Sequence, residues 1–204
     1  MKYKVIKTDV IDPDINSHEW DRANVGYIGF DRWKEYSPSP ITSFKLLRGP
    51  EGISLLMCSE EKNQRAECLE QNGMICQDSC MEFFFKPDPL DLNYFNFELN
   101  PKGILHLAIG NGRHGRTLID ESRETFKIQT KQREEEWAVK LYIPEAFVLR
   151  YFKRIAPICK GNFYKCGDLT VKEHYATWSK VGTEAPDYHR PEFFGKLILS
   201  QEAL

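Results

Sequence analysis

The 204-residue chain lacks the charge pattern and the long apolar segments that would indicate binding to nucleic acid or to a membrane. Its formal net charge is −2, and no sustained basic run offers an electrostatic footprint for a polyanion. The longest apolar runs, 53–58 and 104–109, are far too short to span a bilayer, and Met1–Val10 lacks the apolar centre of a signal peptide. We therefore expect a soluble, cytoplasmic protein with neither nucleic acid nor membrane as a partner.

Internal repeats, low-complexity tracts and Gly/Ser linkers are absent as well. A chain of this length can bury roughly 70% of its unfolded surface within one domain. We therefore expect residues 1–204 to form a single domain. Nothing in the sequence indicates its oligomeric state.

Spacings typical of a metal site or of a catalytic serine are also missing. The pairs Cys76/Cys80 and Cys159/Cys166 are not spaced as in zinc knuckles, no G-x-S-x-G turn is present, and the five histidines are scattered. In a chain of this size without an export signal, cysteines are most often free thiols in or near a core. We expect no metal, no cofactor, and free thiols at Cys58, Cys68, Cys76, Cys80, Cys159 and Cys166.

Aromatic residues and turn signals, by contrast, are plentiful. Aromatic residues make up 13% of the chain and favour strands. The segment Asp78–Arg116 contains three short apolar runs separated by a Pro/Asp-rich turn and by an Asn-Pro-Lys-Gly turn. It therefore predicts antiparallel strands at Met81–Phe85, Tyr94–Asn100 and Ile104–Ile109.

The middle strand of this segment alternates strictly between apolar and polar residues. Phe95, Phe97 and Leu99 fall on one face, which we expect to cover a core. The neighbouring strands alternate in the same way, so the second face of the sheet gathers polar side chains. These are Glu82, Asn96, Glu98 and His106. Such a face is suited to hydrogen-bonding a polar ligand.

Further strands and one short helix follow from composition and turn signals. The helix should begin near Pro144, because proline is tolerated at a first helical position, and run to about Phe152. The other predicted strands are Phe44–Leu47, Ile53–Cys58, Phe126–Thr130 and Trp137–Ile143. Many short strands with at most one or two short helices predict an all-β fold, an antiparallel sandwich or barrel.

The segment Gly110–Gly115 reads G-x-G-x-x-G, the spacing of a dinucleotide-binding loop. That fingerprint needs a helix that opens at its third glycine, whereas the residues after Gly115 show no sustained helical face. We interpret these glycines as a tight loop that presents Arg113 at the edge of the sheet.

Several separate motifs together resemble one family. DSCMEFF at Asp78–Phe84 resembles the D-S-x-E-h-F strand of carbohydrate-binding module family 9-like domains. YFNFELNPKG, NFYKCGD, HYATW and YHRPEFFG resemble further stretches of a stand-alone branch of that group, in the same order. The resemblance extends from about Trp20 to Leu199.

This resemblance implies a β-sandwich with jelly-roll-like topology that binds sugars, often beside polysaccharide-degrading enzymes. In sugar-binding members two tryptophans stack on a sugar ring, and Trp178 lies in the right part of the chain to be one of them. The region 44–60 has no tryptophan to be the other. Some members also hold structural calcium, but no loop here has a defensible calcium-ligand pattern.

The predicted ligand-binding residues supply flat rings and planar polar groups, the types that contact sugar C–H faces and hydroxyls. They are Glu82, Asn96, Glu98, Arg113, Tyr164 and Trp178. The first hypothesis is a non-catalytic carbohydrate-binding protein. The second is a glycoside hydrolase with Glu82 and Glu98 as its acid/base pair. The third is a structural or interaction domain with a decayed sugar site, which the missing second tryptophan favours.

Overall fold

A computed structural model describes residues 1–199 of the chain, in which fourteen short strands carry the fold. The strands are β1 (Lys2–Lys4), β2 (Ile6–Lys7), β3 (Gly26–Tyr27), β4 (Ile41–Arg48), β5 (Gly52–Glu60), β6 (Cys80–Lys86), β7 (Tyr94–Leu99), β8 (Leu105–Gly110), β9 (Thr117–Leu118), β10 (Gln129–Gln132), β11 (Trp137–Pro144), β12 (Ile158–Cys166), β13 (Tyr175–Thr177) and β14 (Gly195–Ile198). The α-helix is α1 (Glu145–Val148), and 3-10 helices lie at His18–Arg22, Ile75–Gln77, Arg123–Phe126 and Pro191–Phe193. Residues 200–204 of the predicted domain lie outside the described part.

The strands form two sheets that pack face to face. The larger sheet has the order β1-β14-β12-β6-β7-β8-β9, with β13 also paired to β12. The smaller has the order β10-β11-β5-β4-β2, with β3 paired to β4. All strand pairs among the described residues are antiparallel except β1–β14 and β2–β4. The predicted β-sandwich is confirmed, with parallel pairing confined to these two contacts.

The three central strands lie where their alternation predicts, within one residue at each end. Glu82 of β6 pairs directly with Glu98 of β7, and Glu98 pairs with His106 of β8. The turn between β7 and β8 closes at Gly103, whose φ of 68° is a conformation that suits glycine. The polar residues of the three strands therefore share the outer face of the larger sheet.

Aromatic side chains from both sheets fill the space between them. Phe44 of the smaller sheet stacks on Phe163 of the larger at 3.6 Å between ring centroids. Phe163 in turn stacks on Phe83 at 4.5 Å. Each such buried ring contributes about 1.5 to 3 kcal/mol through removal from water. Because Phe83 and Phe163 point into this interior, the alternating residues of β6 and β12 point outward.

Two local predictions are wrong in their bounds. Phe126 ends a 3-10 helix rather than beginning a strand, because Ser122 caps that turn and Lys127 leaves it in a left-handed conformation, with a φ of 44°. The strand that follows is β10. The single α-helix begins after Pro144 as expected, but ends at Val148 rather than near Phe152.

The glycine loop at 110–115 joins β8 to β9, so a two-residue strand follows it rather than a helix. This agrees with the interpretation of the loop as a tight connection. No helix within residues 1–199 is long and apolar enough to cross a membrane.

Candidate functional site

An open cavity of about 410 Å³ lies on the outer face of the larger sheet. Its floor is formed by side chains of β6, β7 and β12, namely Glu82, Glu98 and Cys166. Its walls come from loops, from the 3-10 helix Ile75–Gln77 and from the start of β13, namely Tyr36, Cys76, Asp168, Tyr175 and Tyr188. Its rim is formed by Arg113, Ala185, Pro186 and His189.

The carboxyl groups of the floor have few partners. Glu82 is 3% exposed and accepts a hydrogen bond from the thiol of Cys166 at 3.1 Å. Glu98 is half-buried and accepts one from Asn96 Nδ2 at 2.8 Å. Within residues 1–199 neither group forms an ion pair, although Arg113 acts on Glu82, and His106 and Arg116 act on Glu98, from longer range.

Burial, and next the neighbouring Glu98, raise the pKa of Glu82 well above its usual range. Burial also raises the pKa of Glu98, partly offset by His106 and by the hydrogen bond from Asn96. The pKa of Asp168 on the wall is raised by burial too. A carboxyl group that keeps its proton can donate as well as accept a hydrogen bond. The cavity can therefore offer both donors and acceptors to a hydroxyl-rich ligand.

Asn96 donates a hydrogen bond that orients Glu98, and Arg116 in turn orients Asn96. Its Oδ1 accepts hydrogen bonds from Arg116 Nε at 3.0 Å and from a terminal guanidinium nitrogen at 2.6 Å. The Arg116 guanidinium lies over the ring of Tyr94 at 4.5 Å. With Asn96 only 1% exposed, this chain of contacts orients Glu98 from beneath the cavity.

Tyrosine rings form the apolar part of the walls. Tyr36 meets Tyr175 edge-on at 4.7 Å between centroids. Tyr188 is stacked on Tyr164 at 4.1 Å, and its hydroxyl donates to the Lys165 carbonyl at 3.0 Å. The rings are therefore held at fixed angles before any ligand enters.

An ion pair at the rim links two loops across the cavity mouth. Arg113 donates from Nε and from one terminal nitrogen to Asp187 Oδ1, at 3.1 and 2.9 Å. Next to it, His189 Nδ1 lies 2.9 Å from the Tyr94 hydroxyl. Burial, with Arg116 as the next cause, lowers the pKa of His189 to about 3. His189 is therefore a neutral partner for Tyr94.

The profile of carbohydrate-binding family 9 matches residues 15–199. The chain belongs to carbohydrate-binding family 9. The sequence resemblance to this family is thereby confirmed, over a longer span than the motifs alone covered. No curated protein matches the sequence.

Solved structures agree with this assignment. A protein of Bacteroides uniformis ATCC 8492, described as a candidate carbohydrate-binding protein, is 29% identical with a TM-score of 0.81, over 96% of this chain and 97% of its own. A family 9 module of Caldicellulosiruptor kristjanssonii in complex with glucose is 13% identical with a TM-score of 0.69, over 100% of this chain and 97% of its own. A family 9 module of the same organism in complex with cellotriose is 14% identical with a TM-score of 0.65, over 100% of this chain and 97% of its own. At these lower identities the likeness shows the fold alone.

The prediction that Trp178 stacks on a ligand is wrong for this family 9 chain. Trp178 is 3% exposed and packs between the sheets, edge-on to Phe44 at 5.5 Å and to Phe163 at 5.8 Å. Its backbone N–H donates to the Phe163 carbonyl at 2.9 Å. The Trp178 side chain therefore points into the interior, as Phe163 does, whereas Tyr175, three residues earlier, faces the cavity. A Cβ on Gly195 would lie 2.3 Å from the Trp178 ring, so the indole fills its site closely.

The other predicted site residues divide into two groups. Glu82, Glu98 and Arg113 line the cavity. Asn96 and Tyr164 do not: Tyr164 is fully buried behind Tyr188 and donates to its carbonyl at 2.9 Å. Both support lining residues rather than face a ligand.

The lining residues that sequence reasoning missed come mostly from loops. Strand alternation could not place Tyr36, Asp168 or Tyr188, because no period relates a loop to the sheet that it covers. Tyr175 and Cys166 could have been found from the parity of β12 and β13, once Phe163 was assigned to the interior.

Proposed function

We propose that this chain binds carbohydrate without catalysing a reaction, in the cavity on the outer face of the larger sheet. The observation that carries the proposal is the combination of two carboxyl groups that form no ion pair within residues 1–199, Glu82 and Glu98, with the tyrosine walls. Binding sites typically join apolar walls to a few convergent polar groups. Sugar rings present apolar C–H faces and pairs of hydroxyls, which match these two kinds of surface.

The size of the cavity favours a short ligand. A volume of about 410 Å³ is near the lower end of ordinary small-molecule sites. It suits one or two sugar rings, with any longer chain leaving past the Arg113–Asp187 ion pair. We also propose, from the sequence resemblance alone, that binding serves carbohydrate catabolism.

Calorimetry of the folded protein with single sugars and short oligosaccharides tests the proposal. Glucose and cellotriose are the first ligands to use, because the Caldicellulosiruptor kristjanssonii module was solved with each. We expect Tyr175→Ala to weaken binding roughly tenfold or more, as loss of an aromatic contact does. Tyr27→Ala is the matched control, since Tyr27 is 64% exposed and lies outside the cavity. No binding of any tested sugar at millimolar concentration would contradict the proposal.

The two alternatives are less well supported by the geometry. A glycoside hydrolase needs carboxyl groups on opposite sides of the bond that breaks. Glu82 and Glu98 instead lie side by side on one floor, in directly paired positions. The hypothesis of a decayed site rested on the missing second tryptophan, but the cavity is open and has its own aromatic walls. Unchanged hydrolysis in Glu82→Gln and Glu98→Gln would exclude these two as an acid/base pair.

A further inference from the structure

Two thiols and one carboxyl group meet on the cavity floor, at the end of β6 and β12. Cys166 Sγ lies 3.1 Å from Glu82 Oε1, and Cys80 Sγ lies 4.0 Å from the same oxygen. All three potential ligand atoms lie within 4.8 Å of one another. The three residues are at most 3% exposed.

Strand geometry brings these groups together although their sequence spacing is not that of a zinc motif. Cys80 and Glu82 are two residues apart on β6, so their side chains share the outer face. Cys166 pairs directly with Cys80 across the sheet. Both cysteines are free thiols in this structure. The cluster is therefore fixed by the register of two central strands rather than by a loop.

A third buried thiol shows how a purely structural cysteine is accommodated in this protein. Cys159 Sγ donates to the carbonyls of Ala156 and Pro87, at 3.1 and 3.2 Å. It has only backbone acceptors and points into the core between the sheets. Cys80 and Cys166, by contrast, face each other and a carboxyl group, and Cys166 and Glu82 also line the cavity.

We propose that Cys80, Glu82 and Cys166 bind a thiophilic divalent cation, with Zn²⁺ as the best match. Two thiolates and a carboxylate are ligands that Zn²⁺ accepts, whereas Mg²⁺ and Ca²⁺ prefer sites made of oxygen alone. Zinc–sulfur bonds of about 2.3 Å and zinc–oxygen bonds of about 2.0 to 2.2 Å in a tetrahedron place a sulfur and an oxygen ligand about 3.5 to 3.7 Å apart. The two sulfur–oxygen separations, 3.1 and 4.0 Å, lie on either side of that range.

The fourth coordination position would face the cavity. Each thiol releases its proton to solvent as it binds the cation, and Glu82 does the same where it is protonated. The two thiolates and the carboxylate then more than neutralise the charge of Zn²⁺. A water molecule or a hydroxyl group of a cavity ligand would complete the tetrahedron. The proposal goes beyond carbohydrate binding and does not depend on it, because the cation can be tested without any sugar.

Cobalt is the probe that reports sulfur ligation directly. The reduced, chelator-treated full chain is titrated with Co²⁺ and then with Zn²⁺, in the absence of sugar. We expect one equivalent of Co²⁺ to produce the near-ultraviolet absorption of a thiolate-to-cobalt transition, and Zn²⁺ to remove it. Excess Mg²⁺ or Ca²⁺ should leave the absorption unchanged.

Variants identify the ligands. Cys80→Ser and Cys166→Ser should each weaken Co²⁺ and Zn²⁺ binding at least 10- to 100-fold, the loss that even indirect changes near a metal cause. Cys58→Ser and Cys68→Ser are matched controls, because these free thiols lie outside the cluster. Absence of the cobalt absorption, or its persistence in both Cys80→Ser and Cys166→Ser, would overturn the proposal.

The wild-type chain provides a test that does not depend on the variants folding. X-ray absorption of the protein loaded with one equivalent of Zn²⁺ should show two sulfur atoms in the first coordination shell. A shell without sulfur would refute the site. A separate sugar titration of the metal-free protein keeps this result distinct from the fate of the proposed carbohydrate function.

Discussion

Two regions of the molecule hold carboxyl groups away from water: one end of the interior, with Glu61, and the floor of the outer cavity, with Glu82 and Glu98. Of these three groups, only Glu61 forms an ion pair within residues 1–199. Glu61 is 4% exposed, and its Oε2 lies 3.1 Å from Lys165 Nζ. Ser79 and Trp137 donate to the same carboxylate, each at 2.8 Å. Lys165 also lies 2.9 Å from His174 Nε2, so the whole group is connected.

The floor of the cavity is built differently. Glu82 accepts a hydrogen bond from the Cys166 thiol, and Glu98 accepts one from the Asn96 amide. Buried polar groups in folded proteins are normally satisfied, and the Glu61 carboxylate follows that rule with two hydrogen bonds and an ion pair. The floor carboxyl groups form no ion pair within residues 1–199, and a ligand can supply further hydrogen bonds to them there. The difference between the two regions therefore separates a carboxylate whose partners are all within the protein from the carboxyl groups that we propose bind a ligand.

The largest expected effect concerns Trp178, which belongs to the interior. Trp178→Ala should lower the free energy of unfolding by about 3 to 5 kcal/mol, because it leaves a cavity between the sheets. The sugar affinity of the remaining folded protein should not change, since the ring does not line the cavity. Urea denaturation and calorimetry measure the two quantities. A stable variant that has lost sugar binding would return Trp178 to the site.

Glu61→Gln tests the charged partner in the interior. It should cost about 3 kcal/mol of stability, because breaking a buried ion pair leaves the Lys165 charge uncompensated. Glu136→Gln is the control: it removes an exposed partner of Arg133 and should barely change the urea midpoint. A cost below about 1 kcal/mol for Glu61→Gln would show that the ion pair contributes little.

Acid should lower the free energy of unfolding because His174 in the interior resists protonation. Burial, and next Lys165, lower the pKa of His174 from 6.5 to about 4. The unfolded chain therefore binds this proton at a higher pH than the folded chain does. The stability that the protein gains from keeping His174 neutral is fully present above about pH 6.5. It is lost as the pH falls toward 4, which lowers the free energy of unfolding by roughly 2 to 3 kcal/mol.

The difference between wild type and His174→Gln isolates this effect, measured by urea denaturation at several pH values. His189 shifts in the same direction but is present in both proteins, so its contribution cancels. His18→Gln is the control, because the His18 side chain is fully exposed. Parallel stability curves for wild type and His174→Gln would show that His174 does not titrate in this window.

Much of this fold could be predicted from the sequence, because the period of two in a strand is a local property. Phe95, Phe97 and Leu99 alone determine which face of β7 is buried. The same alternation placed Glu82 and Glu98 on the outer face, and the structure agrees.

The cavity walls could not be predicted in this way. Tyr36 and Tyr188 reach the cavity from loops far apart in sequence, and only the folded chain brings them together. Trp178 was misassigned because the family resemblance locates a segment of the chain but does not show whether a residue in it points into the interior or toward the cavity. The cluster of Cys80 with Cys166 depends on the pairing of β6 with β12, which the sequence spacing does not reveal.

The smallest effect on stability is expected for Glu98→Gln, the same substitution as at Glu61 but on the cavity floor. Glu98→Gln breaks no ion pair within residues 1–199, and glutamine still accepts the hydrogen bond from Asn96 Nδ2. The free energy of unfolding should therefore change by less than about 1 kcal/mol. Sugar affinity should fall all the same, because the carboxyl group lines the cavity in which we propose that the sugar binds. Urea denaturation and calorimetry of Glu98→Gln beside Glu61→Gln measure this contrast, and equal losses of stability in the two variants would remove the distinction between the regions.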